Sequence, residues 1–324
     1  YSTKRSILID ASINLAQEKI MLDTKLEEKL NEIDFKIDIR DIQGIPSDMG
    51  RKVVRLDNLG RQDGDPLGIV GSRYKPIHHK DAFGGALLAM EKGGLDFTDA
   101  DLKIESYENG AMAKMELLLP AHTAKIGNHD LSVKFVARNS YNARWKFQSF
   151  FGWMNHVCFN TLVSGQKLAY SANRHTTHFD INSSNLKIQN AVSAITDETN
   201  TFQNWWDKKV NDDDVADMFK KTIAKSQANE SQVKYGASDL NQKRLLALMG
   251  LYEEEVAQIH GKGDYGRNNA TGSLWCAYQA ATAWSTHLKD VEYTAKKFHI
   301  VQKDRQNQVR SLITSDHWKK LETA

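Results

Sequence analysis

Hydrophobic and polar residues alternate with a period of two through much of the first half of the chain. The alternation is clearest in residues 101–120, where it continues on both sides of Asn109 and Gly110. An Asn-Gly pair between two alternating runs predicts a β-hairpin, because both residues accept the backbone angles of a tight turn. Further strands are predicted for residues 35–42, 51–57, 66–77 and 131–138, with one helix over residues 78–94.

After residue 185 the hydrophobic period changes to that of a helix. Leu186, Ala191, Ile195, Phe202 and Trp206 fall on one face of a long predicted helix. Three more helices are predicted, over residues 215–227, 240–259 and 273–288, the last with a single apolar stripe. The three aspartates at 212–214 are expected to form a solvated turn before the first of these.

This order of elements predicts an α+β fold, with a largely antiparallel sheet and a hairpin in the first half and a helical second half. We divide the chain into an N-terminal helix and extended segment (1–50), an antiparallel-sheet core (51–183) and a helical part packed on or extending that core (184–324). With 324 residues, 40% of them hydrophobic, the chain can bury a sizeable core.

Charge and cysteine content limit the classes of protein to which this chain can belong. The formal net charge is only +2, so any affinity for nucleic acid must come from local segregation of charge. Cys158 and Cys276 are too few for a disulfide scaffold, which favours a reducing compartment and a cytoplasmic location. The chain has no long apolar run and its first residues lack the core of a signal peptide, so we expect no membrane insertion.

Residues 131–179 concentrate basic charge. This segment holds six Lys or Arg, ten aromatic residues and no Asp or Glu. Such a mixture suits a single-stranded nucleic acid, because phosphates attract cations and unpaired bases stack on flat rings. The predicted DNA-binding residues are Lys134, Arg138, Tyr141, Arg144, Trp145, Lys146, Lys167 and Arg174.

Within this set, Arg138, Arg144, Lys146 and Arg174 are expected to contact phosphates, while Tyr141 and Trp145 are expected to stack on bases. A second interpretation stays open. The strands of a sheet core are also rich in aromatic residues and poor in acids, so the same segment is equally typical of a buried sheet.

Motifs for catalysis and metal binding are missing. The chain contains no GxSxG, HExxH or Walker-type motif, and the glycine-rich residues 261–266 are interpreted as a loop. His175 and His178, with His156 and Cys158 upstream, are not expected to form a zinc site, because two histidines three apart on a strand point to opposite faces. We predict no enzymatic activity, no metal and no cofactor, and keep a nuclease only as a minor alternative.

Five short motifs occur in a characteristic order. They are SRYKPI with Ala82-Phe83, Arg138-Asn139-Ser140, the spaced set Cys158, Asn160 and Leu162, Arg174-His175-Thr176, and the segment from Gly272 to Tyr278. Together they resemble the domain-of-unknown-function family numbered nine-three-two, whose members are carried by phages and plasmids. That resemblance implies a mobile-element setting and no mechanism. The strand-then-helix order is also similar to the single-strand-annealing recombinases of phages, which oligomerise to display a basic groove.

The function expected from these observations is binding and annealing of single-stranded DNA in homologous recombination of a phage or plasmid. The protein would act as a homo-oligomer, a ring or a filament, and a nuclease partner stays open. The alternative is a structural or protein-interaction component of a mobile element that binds no nucleic acid.

Overall fold

Among the described residues, most strands lie in the first half of the chain and most helices in the second. The computed structural model describes residues 24–156, 161–163, 170–176, 180–224, 237–260, 272–287 and 298–324. Its strands are β1 (Ile37–Asp41), β2 (Arg51–Arg55), β3 (Gly68–Val70), β4 (Asp101–Tyr107), β5 (Met112–Ile126), β6 (His129–Ser140), β7 (Phe147–Asn155), β8 (Thr161–Val163) and β9 (Tyr170–Asn173). Its helices are α1 (Thr24–Asn31), α2 (His79–Lys92), α3 (Ile181–Asp207), α4 (Asp212–Thr222), α5 (Ala237–His260), α6 (Leu274–His287), α7 (Phe298–Ile313) and α8 (Asp316–Thr323). The predicted α+β class is confirmed.

The strands form two antiparallel sheets. β1, β2 and β3 make a three-stranded sheet in that order. The larger sheet runs β4-β5-β6-β7-β8, and β9 pairs with β7 on the same side as β8. Because neighbouring residues of a strand point to opposite faces, the odd- and even-numbered residues of β6 and β7 lie on opposite sides of the larger sheet.

The predicted hairpin forms one edge of the larger sheet. β4 and β5 pair along the whole of β4, and residues 108–111 turn the chain. Asn109 (φ 56°) and Gly110 (φ 92°) both lie in the left-handed region, as a tight turn requires. Glycine is also needed for space, because a Cβ atom at Gly110 would lie 2.7 Å from the ring of Phe35.

The odd-numbered face of the larger sheet is apolar. Phe135, Phe151 and Trp153 are buried on this face, which packs against α2 and α3. The same core continues into an aromatic cluster that joins α3, α6 and α8, where Trp205 lies edge-on to Trp318 with ring centres 5.0 Å apart. The sheet and the helical half therefore share one continuous core.

Two helices of the second half differ from the prediction. The aspartates at 212–214 form the first turn of α4, and Asn211 caps that helix by accepting a hydrogen bond from the amide of Asp213 at 3.0 Å. Carboxylates there are stabilised by the positive end of the helix dipole, which a hydrophobic pattern does not reveal. Helix α6 has no single stripe, since residues 274–285 are all buried with α3, α5, α7 and β8 around them.

The opposite face of the larger sheet, which carries the even-numbered residues of β5, β6 and β7 and the odd-numbered residues of β4, is charged. Lys103 on β4 lies opposite Glu116 on β5, and Glu105 lies opposite Lys114, so opposite charges face each other across the two strands. Lys134 on β6 donates to Glu116 at 3.0 Å. The side chains of Lys114 and Lys134 are only 7% and 13% exposed, so the centre of this network lies inside the protein, while Lys103 at the sheet edge is 63% exposed.

Helix α7 covers this charged face with polar side chains. Gln306 accepts a hydrogen bond from Nη2 of Arg138 at 2.6 Å, and Gln302 accepts one from Nζ of Lys114 at 3.3 Å. Arg138 is 3% exposed, and its guanidinium lies 5.5 Å from the centre of the Phe150 ring. Amide oxygens accept from these cations without bringing another charge into the interior. The hydrogen bonds join α7 to the sheet, while its Val309 and Leu312 are buried in the main core.

A first prediction tests the burial of α6. Trp284 is 3% exposed, and the guanidinium of Arg305 lies 4.1 Å from its ring centre. Trp284→Ala should lower the free energy of unfolding, measured by urea denaturation, by about 3 to 5 kcal/mol, the usual cost of truncating a buried aromatic residue. Leu246→Ala, at a side chain that is 65% exposed, is the control and should change it by less than about 0.5 kcal/mol. A loss below about 1 kcal/mol for Trp284→Ala would contradict the buried position of α6.

A second prediction tests the charged face through pH. Burial raises the pKa of Glu116, but the ammonium groups of Lys114 and Lys134 outweigh burial and hold this pKa at about 2. Because the folded-state pKa lies below the unfolded value, the stabilisation is present above about pH 5 and is lost as the pH falls towards about 2. Glu116→Gln removes the carboxylate that Lys114 and Lys134 share. It should lower the free energy of unfolding by about 3 kcal/mol at pH 7.

The difference in unfolding free energy between wild type and Glu116→Gln should shrink below about pH 5 and close near pH 2. Glu32→Gln removes an exposed ion pair with Lys29 and serves as the control, with an expected change below about 1 kcal/mol. A constant difference between wild type and Glu116→Gln over the whole acid range would show that Glu116 carries no stabilising charge.

Candidate nucleic-acid interface

An open groove of about 910 Å³ lies next to the charged face of the larger sheet. Four parts of the chain meet there: the connection from β3 to α2, the loop from β6 to β7, strand β9 with the residues after it, and helix α7. Gln148 of β7 and Asp48, in the loop between β1 and β2, complete the lining. The groove is therefore assembled from segments that are distant in sequence.

The groove is strongly basic. Its cations are Arg73, Arg144, Lys146, Arg174 and Lys303, and Asp48 is the one carboxylate among the described residues that line it. Arg73, Lys146 and Arg174 are exposed, and none of the three forms an ion pair with a described residue. These three charges face solvent without a carboxylate of the described chain to neutralise them.

A constrained loop presents Arg144 and Lys146. Between Asn142 and Arg144, Ala143 has a φ of 59°, in the region that residues with a side chain seldom adopt. Asn142 supports the turn, because its Oδ1 accepts a hydrogen bond from the amide of Arg144 at 3.1 Å. Strand β3 comes so close that a Cβ atom on Gly68 would lie 2.6 Å from the Cα atom of Asn142. Only glycine fits there.

The same loop is tied to its own strand and to the hairpin. Ser140 Oγ donates to the carbonyl of Trp145 at 2.9 Å and accepts from its amide at 3.1 Å. The indole of Trp145 is 2% exposed and lies edge-on to Tyr107. Arg144 forms an ion pair with Glu108 of the hairpin turn. Trp145 thus supports the groove wall, and Arg144 carries a charge that is already partly neutralised.

A second wall joins residues after β3 to residues after β9. Tyr74 forms an antiparallel bridge with Thr176, and the amide of Lys75 donates to the carbonyl of His175 at 3.3 Å. The hydroxyl of Tyr74 donates to the carbonyl of Ser140 at 2.6 Å. Burial lowers the pKa of His175 to about 4, so this imidazole is neutral near pH 7. The positive charge of the groove therefore comes from its arginine and lysine side chains.

Helix α7 and strand β9 form a third wall. Lys303 and Asn307 of α7 line the groove beside Tyr170 of β9. Gln148 Nε2 donates to the hydroxyl of Tyr170 at 3.0 Å, and the guanidinium of Arg310 lies 3.8 Å from the centre of the Tyr170 ring. The position of α7 on the charged face thus determines part of the groove.

The structure separates the residues that the sequence predicts to bind DNA. Four of them meet in the groove: Arg144, Trp145, Lys146 and Arg174. Arg138 lies under α7, Lys134 is paired with Glu116 on the same face of the sheet, and Tyr141 is buried with its hydroxyl accepting from the amide of His79 at 2.9 Å. Lys167 lies outside the described residues. A period of two places Lys134 and Arg138 on one face of the sheet, but it does not show that a distant helix covers that face.

Several groove residues are absent from the sequence prediction. They are Arg73, Tyr74, Tyr170, Lys303 and Asn307. Signals for some of them exist in the sequence, since Tyr170 lies in the basic aromatic segment and Arg73 and Tyr74 lie in the SRYKPI motif. No local pattern connects these positions with α7, because they meet only through tertiary packing.

Two of the residues considered for a metal site, His156 and His175, belong to the described part of the chain. His156 forms a hydrogen bond with Ser132 Oγ at 2.7 Å, and His175 is buried in the groove wall. Cys158 and His178 fall outside the described residues. Within the segments that the structure describes, no three His, Cys, Asp or Glu side chains are grouped as metal ligands. The helices there also lack the combination of length and hydropathy that a membrane span needs.

Comparison with known proteins identifies one family. The model of that family, described as a domain of unknown function (DUF932), matches residues 66–317, more than three quarters of the chain. The match includes every groove residue except Asp48. No curated protein and no solved structure gives a significant match. Because the family model covers most of its length, the chain belongs to the DUF932 family.

Proposed function

We propose that this protein binds single-stranded DNA in the groove and anneals complementary strands in homologous recombination of a phage or plasmid. It acts in the cytoplasm as a homo-oligomer, without an enzymatic step or a cofactor. The observation that carries the proposal is the groove itself, in which five cations and one carboxylate lie beside the ring of Tyr170.

The charges of the groove match the phosphates of a single strand. Cations that contact phosphates release counterions, so affinity falls as salt concentration rises, with a logarithmic slope of about −0.7 per contact. Lys146, Arg174 and Arg73 suit this role, because a phosphate does not have to displace a carboxylate of the described residues from them. The formal net charge of only +2 means that such binding depends on this local concentration of charge.

Annealing needs little beyond such a surface. A protein that holds the backbone of a strand and leaves the pairing edges of its bases accessible allows a complementary strand to pair without chemical catalysis. The groove is open to solvent and carries at least one cation on each of its three walls, which suits contact with a backbone. Single-strand sites of this kind bind about 4 to 16 nucleotides per module, so repetition of the groove in an oligomer raises the total affinity.

A second candidate function is that of a protein-interaction component of a mobile element. The three-stranded sheet and its loops carry four exposed apolar side chains, which are Ile45, Met49, Leu59 and Ile69. Ile69 is 69% exposed and Met49 is 75% exposed. Exposed apolar residues of this kind favour a protein interface. In the annealing proposal the same residues would contact a second copy of the chain.

The central experiment reverses two groove charges. The double variant Lys146→Glu and Arg174→Glu removes two cations that have no ion-pair partner among the described residues, so no internal pair is broken. Its affinity for an oligothymidylate should fall at least about tenfold at low salt, and the salt slope should become shallower by about 1.4 because two phosphate contacts are lost. Filter-binding titrations at two salt concentrations measure both quantities.

The matched control is Lys220→Glu with Lys319→Glu. Both lysines are exposed, lie on α4 and α8, and do not line the groove, so this variant has the same net charge as the test variant. Equal losses in the two variants would point to an effect of net charge alone. Unchanged affinity of the groove variant, with an unchanged melting transition, would exclude the groove and favour the protein-interaction function.

Oligomerisation is the second expected outcome. The chain has a mass of 36.7 kDa, and light scattering coupled to size exclusion should give a multiple of that mass, which increases further with a long single strand. The reason is that one short basic groove holds few phosphates, and several grooves on one strand act together. A strictly monomeric protein, alone and with a long strand, would contradict annealing by an oligomer.

A further inference from the structure

Most aromatic rings of the basic segment cannot stack on a base. Trp145 is 2% exposed, and Tyr141 is fully buried against His79 with ring centres 4.1 Å apart. Tyr74, outside this segment, lines the groove, but the ring of His175, which also lines the groove, packs against its ring with centres 5.3 Å apart. The two residues that the sequence pattern favours for stacking are therefore occupied inside the protein.

Tyr170 has a different environment. It is half-buried on β9 and lines the groove, while Gln148 donates a hydrogen bond to its hydroxyl. The guanidinium of Arg310 lies 3.8 Å from the ring centre, and Arg310 is not part of the groove lining. The cation therefore lies behind the ring. The ring is held at its hydroxyl and from behind, and its remaining surface contributes to the groove.

This arrangement suits recognition of a flat, unpaired base. A ring that is already held in position loses little conformational freedom when a ligand stacks on it. The cation behind the ring attracts its π electrons, which favours stacking of a further aromatic system on the front. The neighbouring Lys146, Arg174 and Lys303 supply the charge for the phosphates of the same strand.

We propose that Tyr170, supported from behind by Arg310, is the base-stacking residue of the groove. The inference rests on the proposed single-strand binding. It adds that the groove recognises the bases of the strand as well as its phosphates. It also assigns a binding role to a residue outside the eight that the sequence pattern predicts.

The test compares an oligothymidylate with an abasic oligonucleotide of the same length and phosphate number. Wild type should bind the oligothymidylate more tightly by at least about fivefold, the lower end of the range for stacking of one base. Tyr170→Leu should bring this ratio close to one while retaining the affinity for the abasic strand and its salt slope. Tyr170→Phe keeps the ring and is the matched control, so its ratio should stay near that of wild type.

The outcomes separate this inference from the proposed function. If wild type binds both oligonucleotides equally and with strong salt dependence, the phosphate groove stands and the stacking role of Tyr170 is wrong. If Tyr170→Leu keeps the wild-type ratio, the stacking role is also wrong. If wild type binds neither oligonucleotide, single-strand binding fails and the inference fails with it.

Photocrosslinking of the wild-type protein tests the same inference and does not depend on whether the variants fold. An oligothymidylate substituted with 5-iodouracil is irradiated with the wild-type protein, and the crosslinked peptide is identified by mass spectrometry. A stacked ring is the favoured site of crosslinking, so the modification should be found at Tyr170. Crosslinking at another aromatic residue, with none at Tyr170, would overturn the assignment.

Discussion

The larger sheet is buried on both faces, and one of those faces is charged. Ionised side chains can be buried only if they are paired, because the loss of hydration costs several kcal/mol for each ion. Glu116 meets this condition by lying between Lys114 and Lys134. Helix α7 completes the arrangement with amide oxygens, which accept from Lys114 and Arg138. The apolar side of α7, with Val309 and Leu312, is buried in the main core, and these polar contacts join its other side to the sheet.

The groove is a consequence of that docking. Because α7 is held over the charged face, its Lys303 and Asn307 reach the rim, and its Arg310 lies behind the ring of Tyr170. The protein thus contains two populations of cations. Those of the charged face are paired with carboxylates or amides, while Arg73, Lys146 and Arg174 in the groove are exposed. We propose the groove as the site for an anionic strand because its exposed cations can contact phosphates. The number of basic residues does not by itself distinguish the two environments.

Of the short motifs on which the family resemblance rests, some are buried and others lie at the groove. Asn139 is buried and donates from Nδ2 to the carbonyl of Ile77 and to Nδ1 of His79, each at 2.9 Å. His79 in turn donates from Nε2 to the carbonyl of Gly110. Burial lowers the pKa of His79 to about 4, so its ring is neutral near pH 7. These residues hold the hairpin to α2. By contrast, the motifs that contain Arg73 and Arg174 meet at the groove and supply its charge.

The sequence by itself determined the fold class, the hairpin at Asn109 and Gly110 and the existence of a basic segment, because each is encoded by neighbouring residues. It did not determine which cations of that segment face solvent. Arg138 and Lys146 belong to the same basic segment, yet one lies under α7 and the other in the groove. Only the tertiary structure decided this, because the covering helix lies more than one hundred residues further along the chain and is positioned by contacts that no local pattern records.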